Sequence, residues 1–319
     1  MALTYNEINA VTNDYFKADG GKAVDIYFED SFLMNHLMLQ KKGLWERPNG
    51  GYQIRIPLSY ATQNGGSYDK TSTLSSDDVE SINAAVFGWK YYYSNATIHR
   101  IDEQKNKGPY AEVQLITTKV MQAQQKIRED LATDMYALAA DSAKELSGLL
   151  SLVSETTTTA YGGIQGSDMA KWEGKTTTDS EAISLAVLRA LRSKAKIGSG
   201  ANGKPDIGVT TEDLFNVVSG ILQVQQRFTE DKDTAKAGFQ HLVFEGMIIS
   251  ADDYCPSGDF FALNSKHIGF AIDKEGYFAR DPWGSLTANG VPAKTMKIFW
   301  DGNLICNNRK AHAAHTNLS

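Results

Sequence analysis

Two alternating stretches with a long polar segment between them constrain the fold more than any other feature of the sequence. In the first stretch every second residue is apolar or aromatic, and the set is Tyr52, Ile54, Ile56, Leu58 and Tyr60. In the second, the residues that share one parity are Phe87, Trp89, Tyr91 and Tyr93. Because successive side chains of a β-strand point to opposite faces, each stretch is a predicted strand with one apolar face.

Residues 61–78, between the two strands, are rich in glycine, serine and threonine and contain almost no apolar side chains. This composition predicts an exposed loop tip, so the strands form the legs of an extended hairpin of roughly 40 residues, far longer than ordinary hairpin loops. Two strands do not stabilise such a hairpin by themselves. Its apolar face therefore needs another surface to cover it.

A very long helix is predicted next, since neither glycine nor proline occurs from 110 to 147. Pro109 suits the first position of a helix, and Gly148 suits its end. Apolar residues recur every three or four positions, and the stripe consists of Val113, Ile116, Val120, Ile127, Leu131, Met135 and Leu138. One helix of about 35 residues, roughly 50 Å long, satisfies this spacing.

The remaining sequence predicts smaller elements of both kinds, so the expected fold class is α+β. An amphipathic helix is expected within residues 22–43, as part of an N-terminal arm. Residues 151–178 are expected to be irregular, and two shorter helices and several short strands follow them. Asp301 and Gly302 lie between two apolar runs, which predicts a tight hairpin at this dipeptide.

The composition excludes several classes of protein. The formal net charge of -6 disfavours tight or sequence-specific binding to nucleic acid. No apolar run reaches the roughly 18 residues that a membrane span needs. The first residues lack the basic start and apolar centre of a signal peptide, so synthesis in the cytosol is expected. The two cysteines, Cys255 and Cys306, are expected to be reduced and buried.

The sequence shows no catalytic constellation: a glycine-rich phosphate loop, a nucleophile elbow and a His-Glu-x-x-His zinc motif are all absent. His312 and His315 could bind a metal from one helix face, but their surroundings favour a solvated tail. Asp252, Asp253 and Asp259 lack the spacing of a calcium loop, and we expect a turn that solvates its own acids. We therefore predict no catalytic, metal-binding or cofactor-binding residue.

The order of these elements is an arm, an extended hairpin, a very long helix, a mixed domain and a closing pair of strands. Four segments carry a family likeness in this order, namely "LMLQKKGLWERPNGGYQIRIPLSY", "FGWKYYYSNATIH", "YFARDPW" and "IFWDGNLICNNRK". In order and spacing, over essentially the whole chain, they resemble the major capsid proteins of tailed bacteriophages. Those proteins have the Hong Kong 97-type shell fold, which encapsulins share.

The resemblance implies a division of the chain into four parts. Residues 1–43 would be the N-terminal arm, 44–86 the extended loop, 87–149 with 286–319 the peripheral domain, and 150–285 the axial domain. The helix at about 110–147 would be the spine of the peripheral domain. The residues that would contact a neighbouring subunit from the extended loop are Tyr52, Ile54, Arg55, Ile56, Leu58 and Tyr60.

The resemblance also implies a function and partners. The chain would assemble as hexamers and pentamers into the icosahedral head of a tailed phage and enclose double-stranded DNA. Its partners would be other copies of itself and portal, scaffold or cement proteins, with non-specific contacts to packaged DNA and none to a membrane. It would be made in the cytoplasm of a host bacterium, reside in the virion, use no cofactor and catalyse no reaction.

Three alternatives remain open at this level. The first keeps the fold and makes the chain an encapsulin-type compartment that holds a cargo enzyme. The second is a phage tail or connector protein, which would form rings or tubes. The third is a hydrolase or sugar-binding β protein that uses the aromatic stripe of the second strand and the acids at 252–259.

Overall fold

The computed structural model describes residues 31–39, 44–46, 48–105, 109–156, 160–198, 203–223, 241–287 and 290–319. The helices are α1 (Phe32–Met34), α2 (Arg100–Lys105), α3 (Pro109–Met135), α4 (Leu149–Val153), α5 (Leu185–Lys194) and α6 (Glu212–Gln223). A π-helical segment, Asn35–Leu39, follows α1. Most of the predicted N-terminal arm lies outside the described residues.

The strands are β1 (Leu44–Glu46), β2 (Ile54–Ser59), β3 (Ile82–Phe87), β4 (Lys90–His99), β5 (Thr176–Thr177), β6 (Ile207–Thr210), β7 (His241–Phe244), β8 (Met247–Ala251), β9 (Phe260–Leu263), β10 (Ile268–Ile272), β11 (Ala279–Arg280), β12 (Gly284–Ser285), β13 (Ala293–Cys306) and β14 (Ala313–His315). Helices and strands are thus mixed along the chain, as the α+β prediction requires. The described residues form two compact units. The larger contains Asp30–Lys90, Ala132–Lys274 and Gly302–Ser319, and the smaller contains Tyr91–Leu131 and Glu275–Asp301.

A six-stranded sheet organises the larger unit, in the order β5-β14-β9-β6-β8-β7. The pairs β5–β14 and β6–β8 are parallel, and the other neighbours are antiparallel. Helices α5 and α6 share one apolar cluster with this sheet, which includes Leu188, Leu191, Leu214, Phe215, Val218, Ile249 and Phe260. Burial of this cluster stabilises the unit, because removing apolar area from water is the dominant favourable term in folding.

The C-terminal residues are part of this sheet, so the prediction of a solvated tail is wrong. Strand β14 lies between β5 and β9, and His312 and His315 are both buried. His315 Nε2 lies 2.8 Å from Glu181 Oε1. Burial lowers the pKa of His312 to about 3, so its imidazole is neutral at ordinary pH. Within the predicted peripheral segment 286–319, residues 302–319 belong to the larger unit and the residues before them to the smaller one, and the predicted division into domains stays a prediction.

A buried arginine secures the C-terminal segment. Arg309 donates through Nε to the Leu152 carbonyl at 2.8 Å and through Nη1 to the Trp172 carbonyl at 2.9 Å. Its Nη2 donates to the carbonyls of Ser151 and Ser154, at 3.1 and 3.0 Å. Three of these four carbonyls lie at the C-terminal end of α4, where the helix dipole favours a cation.

In the smaller unit, the first nine residues of β13 form the central strand. Strands β4, β11 and β12 all pair with β13. Tyr92 and Trp300 pack edge to face, with ring centroids 5.8 Å apart. Ile127 and Leu131 of α3 are fully buried. Here the apolar repeat predicted for the long helix does face a core, as its spacing requires.

The long helix begins at Pro109 as predicted but ends at Met135, twelve residues before the predicted end at 147. Tyr136 N and Ala137 N donate to the carbonyls of Thr133 and Asp134, three residues back, which tightens the final turn. Leu138, the last member of the predicted stripe, therefore lies beyond the helix and is exposed.

Beyond Met135, side chains from elsewhere in the larger unit form hydrogen bonds with backbone groups that a longer helix would have paired internally. Ser151 Oγ donates to the Ala139 carbonyl at 2.7 Å and accepts from the Ala139 N–H at 2.9 Å. Lys90 Nζ donates to the carbonyls of Asp141, at 3.0 Å, and Ala143. Burial lowers the pKa of Lys90 below its usual range. Since helical propensity is a weak preference, these tertiary bonds decide where α3 ends.

The predicted hairpin at Asp301–Gly302 is wrong, because β13 continues through this dipeptide from Ala293 to Cys306. The tight turn of this kind lies at Glu245–Gly246, between β7 and β8. Both residues have positive φ, 48° and 85°, as a two-residue turn of the I′ class requires. Arg192 Nη1 donates to the Glu245 carboxylate at 2.8 Å and holds the turn against α5.

The second predicted strand is divided in two. Strand β3 ends at Phe87 and β4 begins at Lys90. Asn303 Nδ2 donates to the carbonyl of the intervening Gly88 at 2.9 Å. The interruption separates residues that share one parity in sequence: Phe87 is buried, whereas Tyr91 and Tyr93 are exposed.

The acids at 252–259 do not form a solvated turn, since Asp252 and Asp259 are both buried. Asp252 Oδ2 accepts from Ser31 Oγ at 2.7 Å and from Leu33 N at 3.0 Å, so it fixes the start of α1. Burial raises the pKa of Asp252, and these hydrogen bonds oppose the shift. Burial raises the pKa of Asp259 to about 6, against an opposing hydrogen bond from the Asn317 backbone.

We expect Arg309→Lys to lower the free energy of unfolding by about 3 kcal/mol. A lysine has no planar fork of donors, so several buried carbonyls would lose their partner. Urea unfolding followed by circular dichroism measures the change. The control is Lys310→Ala, at the adjacent half-buried position, which we expect to shift stability by less than about 0.5 kcal/mol. An equal effect of the two substitutions would contradict the role of Arg309.

We expect Asp259→Asn to stabilise the chain at pH 8 by about 1 to 2 kcal/mol and to have little effect at pH 3. The folded-state pKa of about 6 lies above the ordinary value of 3.8, so the folded state binds the proton more tightly than the unfolded state. The stability that this carboxyl group contributes is therefore fully present below pH 3.8 and is lost as pH rises from there through 6. Thermal unfolding at both pH values tests this, with Asp253→Asn at an exposed site as the control. A gain of the same size at pH 3 would refute it.

Candidate functional site

The extended hairpin is present and its tip projects into solvent. Strands β2 and β3 pair antiparallel over six residues, from Ile54 opposite Phe87 to Ser59 opposite Ile82. Tyr60 N donates to the Ser81 carbonyl at 3.0 Å and adds one further pair. Beyond it, residues 61–80 contain no strand, and nearly all of their side chains are exposed. The prediction of an extended hairpin with an exposed tip is confirmed.

The apolar face of β2 is buried inside the chain. Ile54, Ile56 and Leu58 are only 4%, 6% and 8% exposed. These three predicted contact residues are therefore not available on the surface of the folded chain. The interpretation that this face stays uncovered until a neighbouring subunit covers it is wrong.

A turn more than 70 residues farther along the chain helps to cover this face. Phe87, which lies opposite Ile54, packs edge to face against Tyr161, with ring centroids 5.4 Å apart. Val86 N donates to the Gly162 carbonyl at 2.8 Å. A β-carbon at Gly162 would lie 3.0 Å from the Phe87 ring, and its φ of +62° also favours glycine. Sequence periodicity carries no sign of so distant a contact.

Other side chains of the hairpin remain accessible. Of the predicted contact residues, Tyr52 is 94% exposed, Arg55 is also exposed, and Tyr60 is half-buried. Sequence reasoning missed Tyr68, 73% exposed, and Leu74, 63% exposed, in the tip. Their signal was present, because large apolar side chains inside a polar segment have no partner nearby in sequence.

The predicted stripe on the long helix is divided. Ile127, Leu131 and Met135 are buried, whereas Ile116 and Val120 are half-buried. The side chain of Val113 lies outside the part that the structure describes. The stripe is therefore core from Ile127 to Met135, and these three buried residues are not accessible from the surface, whereas Leu138 beyond the helix is exposed.

A second accessible surface belongs to the smaller unit. Tyr91 and Tyr93 on β4 are exposed, as is Lys297 on β13. Thr97 Oγ1 lies 3.1 Å from Thr295 Oγ1, which places the odd-numbered residues of both strands on one face. The sequence indicated a core or interface stripe here, and in the folded chain Tyr91 and Tyr93 are not core.

The accessible part of the hairpin has a marked charge. The charged side chains between residues 61 and 80 are Asp69, Lys70, Asp77, Asp78 and Glu80. Acids thus outnumber the single lysine four to one, and all five residues are exposed. The tip combines isolated apolar side chains with net negative charge, which suits a contact with an apolar and basic surface.

The described residues contain neither a candidate metal site nor a candidate membrane span. No group of three or more His, Cys, Asp or Glu side chains within them is placed to hold a metal ion. No helix in this part of the chain has the length and apolar character needed to cross a bilayer.

Sequence comparisons find no relative: no protein-family profile matches the chain, and no curated protein matches it. Comparison of structures does find relatives. The capsid protein in the asymmetric unit of cyanophage A-1(L) is 14% identical, with a TM-score of 0.67 over 95% of this chain and 98% of that one.

Two further structures share this fold. In the holo-SrpI encapsulin complex of Synechococcus elongatus the shell chain is 11% identical, with a TM-score of 0.60 over 100% of this chain and 97% of that one. The capsid protein of an empty GTA particle is 10% identical, with a TM-score of 0.59 over 100% of both chains. The chain therefore has the capsid-type fold of phage and encapsulin shell proteins along essentially its whole length.

Proposed function

We propose that this chain is a major capsid protein that assembles as hexamers and pentamers into the icosahedral head of a tailed phage and encloses double-stranded DNA. The observation that carries the proposal is the end-to-end similarity to a cyanophage capsid protein, without large unmatched parts in either chain. Here the hairpin, the long helix and the closing strands occur together.

The extended hairpin is the proposed contact between subunits. Its base is secured by burial of Ile54, Ile56 and Leu58, and its tip is left in solvent. The accessible residues Tyr52, Arg55, Tyr68 and Leu74 replace the buried three in the set that contacts a neighbour. Each contact of this kind is small, and many identical copies in a closed shell add their contributions through multivalency.

The four-part division of the chain belongs to this proposal as it was predicted. The arm is 1–43, the extended loop is 44–86, the peripheral domain is 87–149 with 286–319, and the axial domain is 150–285. Portal, scaffold and cement proteins are the further partners. The net charge of -6 supports only weak, non-specific contact with packaged DNA.

Assembly of the purified chain tests the proposal. We expect hexamers, pentamers or closed shells at micromolar concentration, measured by size-exclusion chromatography and negative-stain microscopy. A chain that stays monomeric at every concentration and salt condition would contradict it. Particles isolated from their natural source separate a phage head, which protects DNA from nuclease, from an encapsulin-type compartment, which contains protein. Rings or tubes instead of shells would indicate a tail or connector protein.

We expect deletion of residues 61–78 to leave a folded subunit that does not assemble. Tyr60 and Ser81 already lie within hydrogen-bonding distance, so the legs close without strain. Loss of an exposed loop costs little folding free energy, about 1 kcal/mol or less. Circular dichroism and size-exclusion chromatography measure the two outcomes. The double substitution Tyr68→Ser with Leu74→Ser keeps the loop length and should slow assembly. Normal shells from the deletion would show that the tip makes no essential contact.

A further inference from the structure

The tip of the hairpin keeps its two legs together without a backbone ladder. The last backbone pair of the legs joins Tyr60 N to the Ser81 carbonyl, and a turn at the far end joins Ser72 N to the Asp69 carbonyl at 2.9 Å. Between these two bonds, the described residues 61–80 contain no other backbone-to-backbone bond across the loop. A polar segment of this length has little apolar burial to order it and would sample many conformations.

One side-chain amide replaces the missing ladder. Gln63 Nε2 donates to the Val79 carbonyl at 3.0 Å, and Val79 N donates to Gln63 Oε1 at 3.2 Å. Gln63 thus pairs with both backbone groups of one residue on the opposite leg. An antiparallel pair of residues exchanges the same two bonds when it forms a rung. Asn64 Nδ2 adds a third bond, to the Asp77 carbonyl at 3.2 Å.

The residue type at position 63 matters for this arrangement. A carboxamide presents a donor and an acceptor side by side, which the N–H and C=O of Val79 both require. A glutamate of the same shape would accept from Val79 N but could not donate to its carbonyl. Val79 is half-buried, whereas the residues on either side of it are exposed. Within residues 61–80 the other half-buried residue is Ala61, so the rung lies next to the partly shielded base of the tip, although Gln63 itself is exposed.

We propose that Gln63 is a positioning residue for assembly: its amide clasps Val79 and holds the tip extended in the free subunit before the tip meets a second copy of the chain. The inference rests on the function proposed above and adds a conformational requirement to it. A loop that is already ordered loses less conformational entropy when it docks. The clasp positions Tyr68 and Leu74, which lie beyond it, for that contact.

Two measurements on the full-length chain test the clasp and its purpose separately. Hydrogen exchange of the Val79 amide reports the clasp in unassembled subunits, and light scattering reports the rate of assembly. We expect Gln63→Glu and Gln63→Ala to make the Val79 amide exchange about tenfold faster while the unfolding transition stays unchanged. Assembly should slow by a similar factor. The matched controls are Gln53→Glu and Gln53→Ala, at an exposed glutamine in the same loop, which should change neither measurement.

Each contrary outcome identifies what is wrong. Unchanged exchange at Val79 in Gln63→Ala would show that the clasp does not hold in solution. Faster exchange with an unchanged assembly rate would show that the clasp has no role in positioning. Failure of the wild-type chain to assemble would overturn the proposed function, and with it the purpose of the clasp.

Discussion

The extended hairpin depends on the burial of its base, the paired strands β2 and β3. Two strands with one apolar face are marginal in water, and a turn that is remote in sequence makes them stable by packing on Phe87. With its base fixed, the hairpin can extend a polar tip without losing its register. The large apolar side chains that stay exposed in the tip are Tyr68 and Leu74.

The end of the chain is secured by a comparable arrangement. Strand β14 sits inside the large sheet, and Arg309 joins the residues just before it to four backbone carbonyls. A buried guanidinium without those carbonyls would cost several kcal/mol. The C-terminal segment is therefore part of the folding unit.

Local sequence patterns predicted the elements well and their limits poorly. Pro109 marked the start of α3 correctly because a proline suits the first helical turn whatever surrounds it. The end at Met135 was missed, since it depends on Ser151 and Lys90 binding backbone groups that a helix would otherwise use. The Asp301–Gly302 dipeptide is typical of a turn, yet both residues lie within β13. The tight turn forms instead at Glu245–Gly246, a dipeptide that is less typical of turns.

The same division applies to the candidate site. By itself the sequence determined that residues 52–60 alternate and that 61–78 are polar, because these are properties of neighbouring residues. The order of the predicted elements added a resemblance to shell proteins, which the structural comparison supports for the fold. Only the tertiary structure decided which side chains remain accessible. Ile54 and Tyr52 share a parity, but the first is buried and the second is exposed. The reason is physical. Burial depends on residues elsewhere in the chain that pack against a side chain, whereas periodicity shows only which residues share a face of a strand.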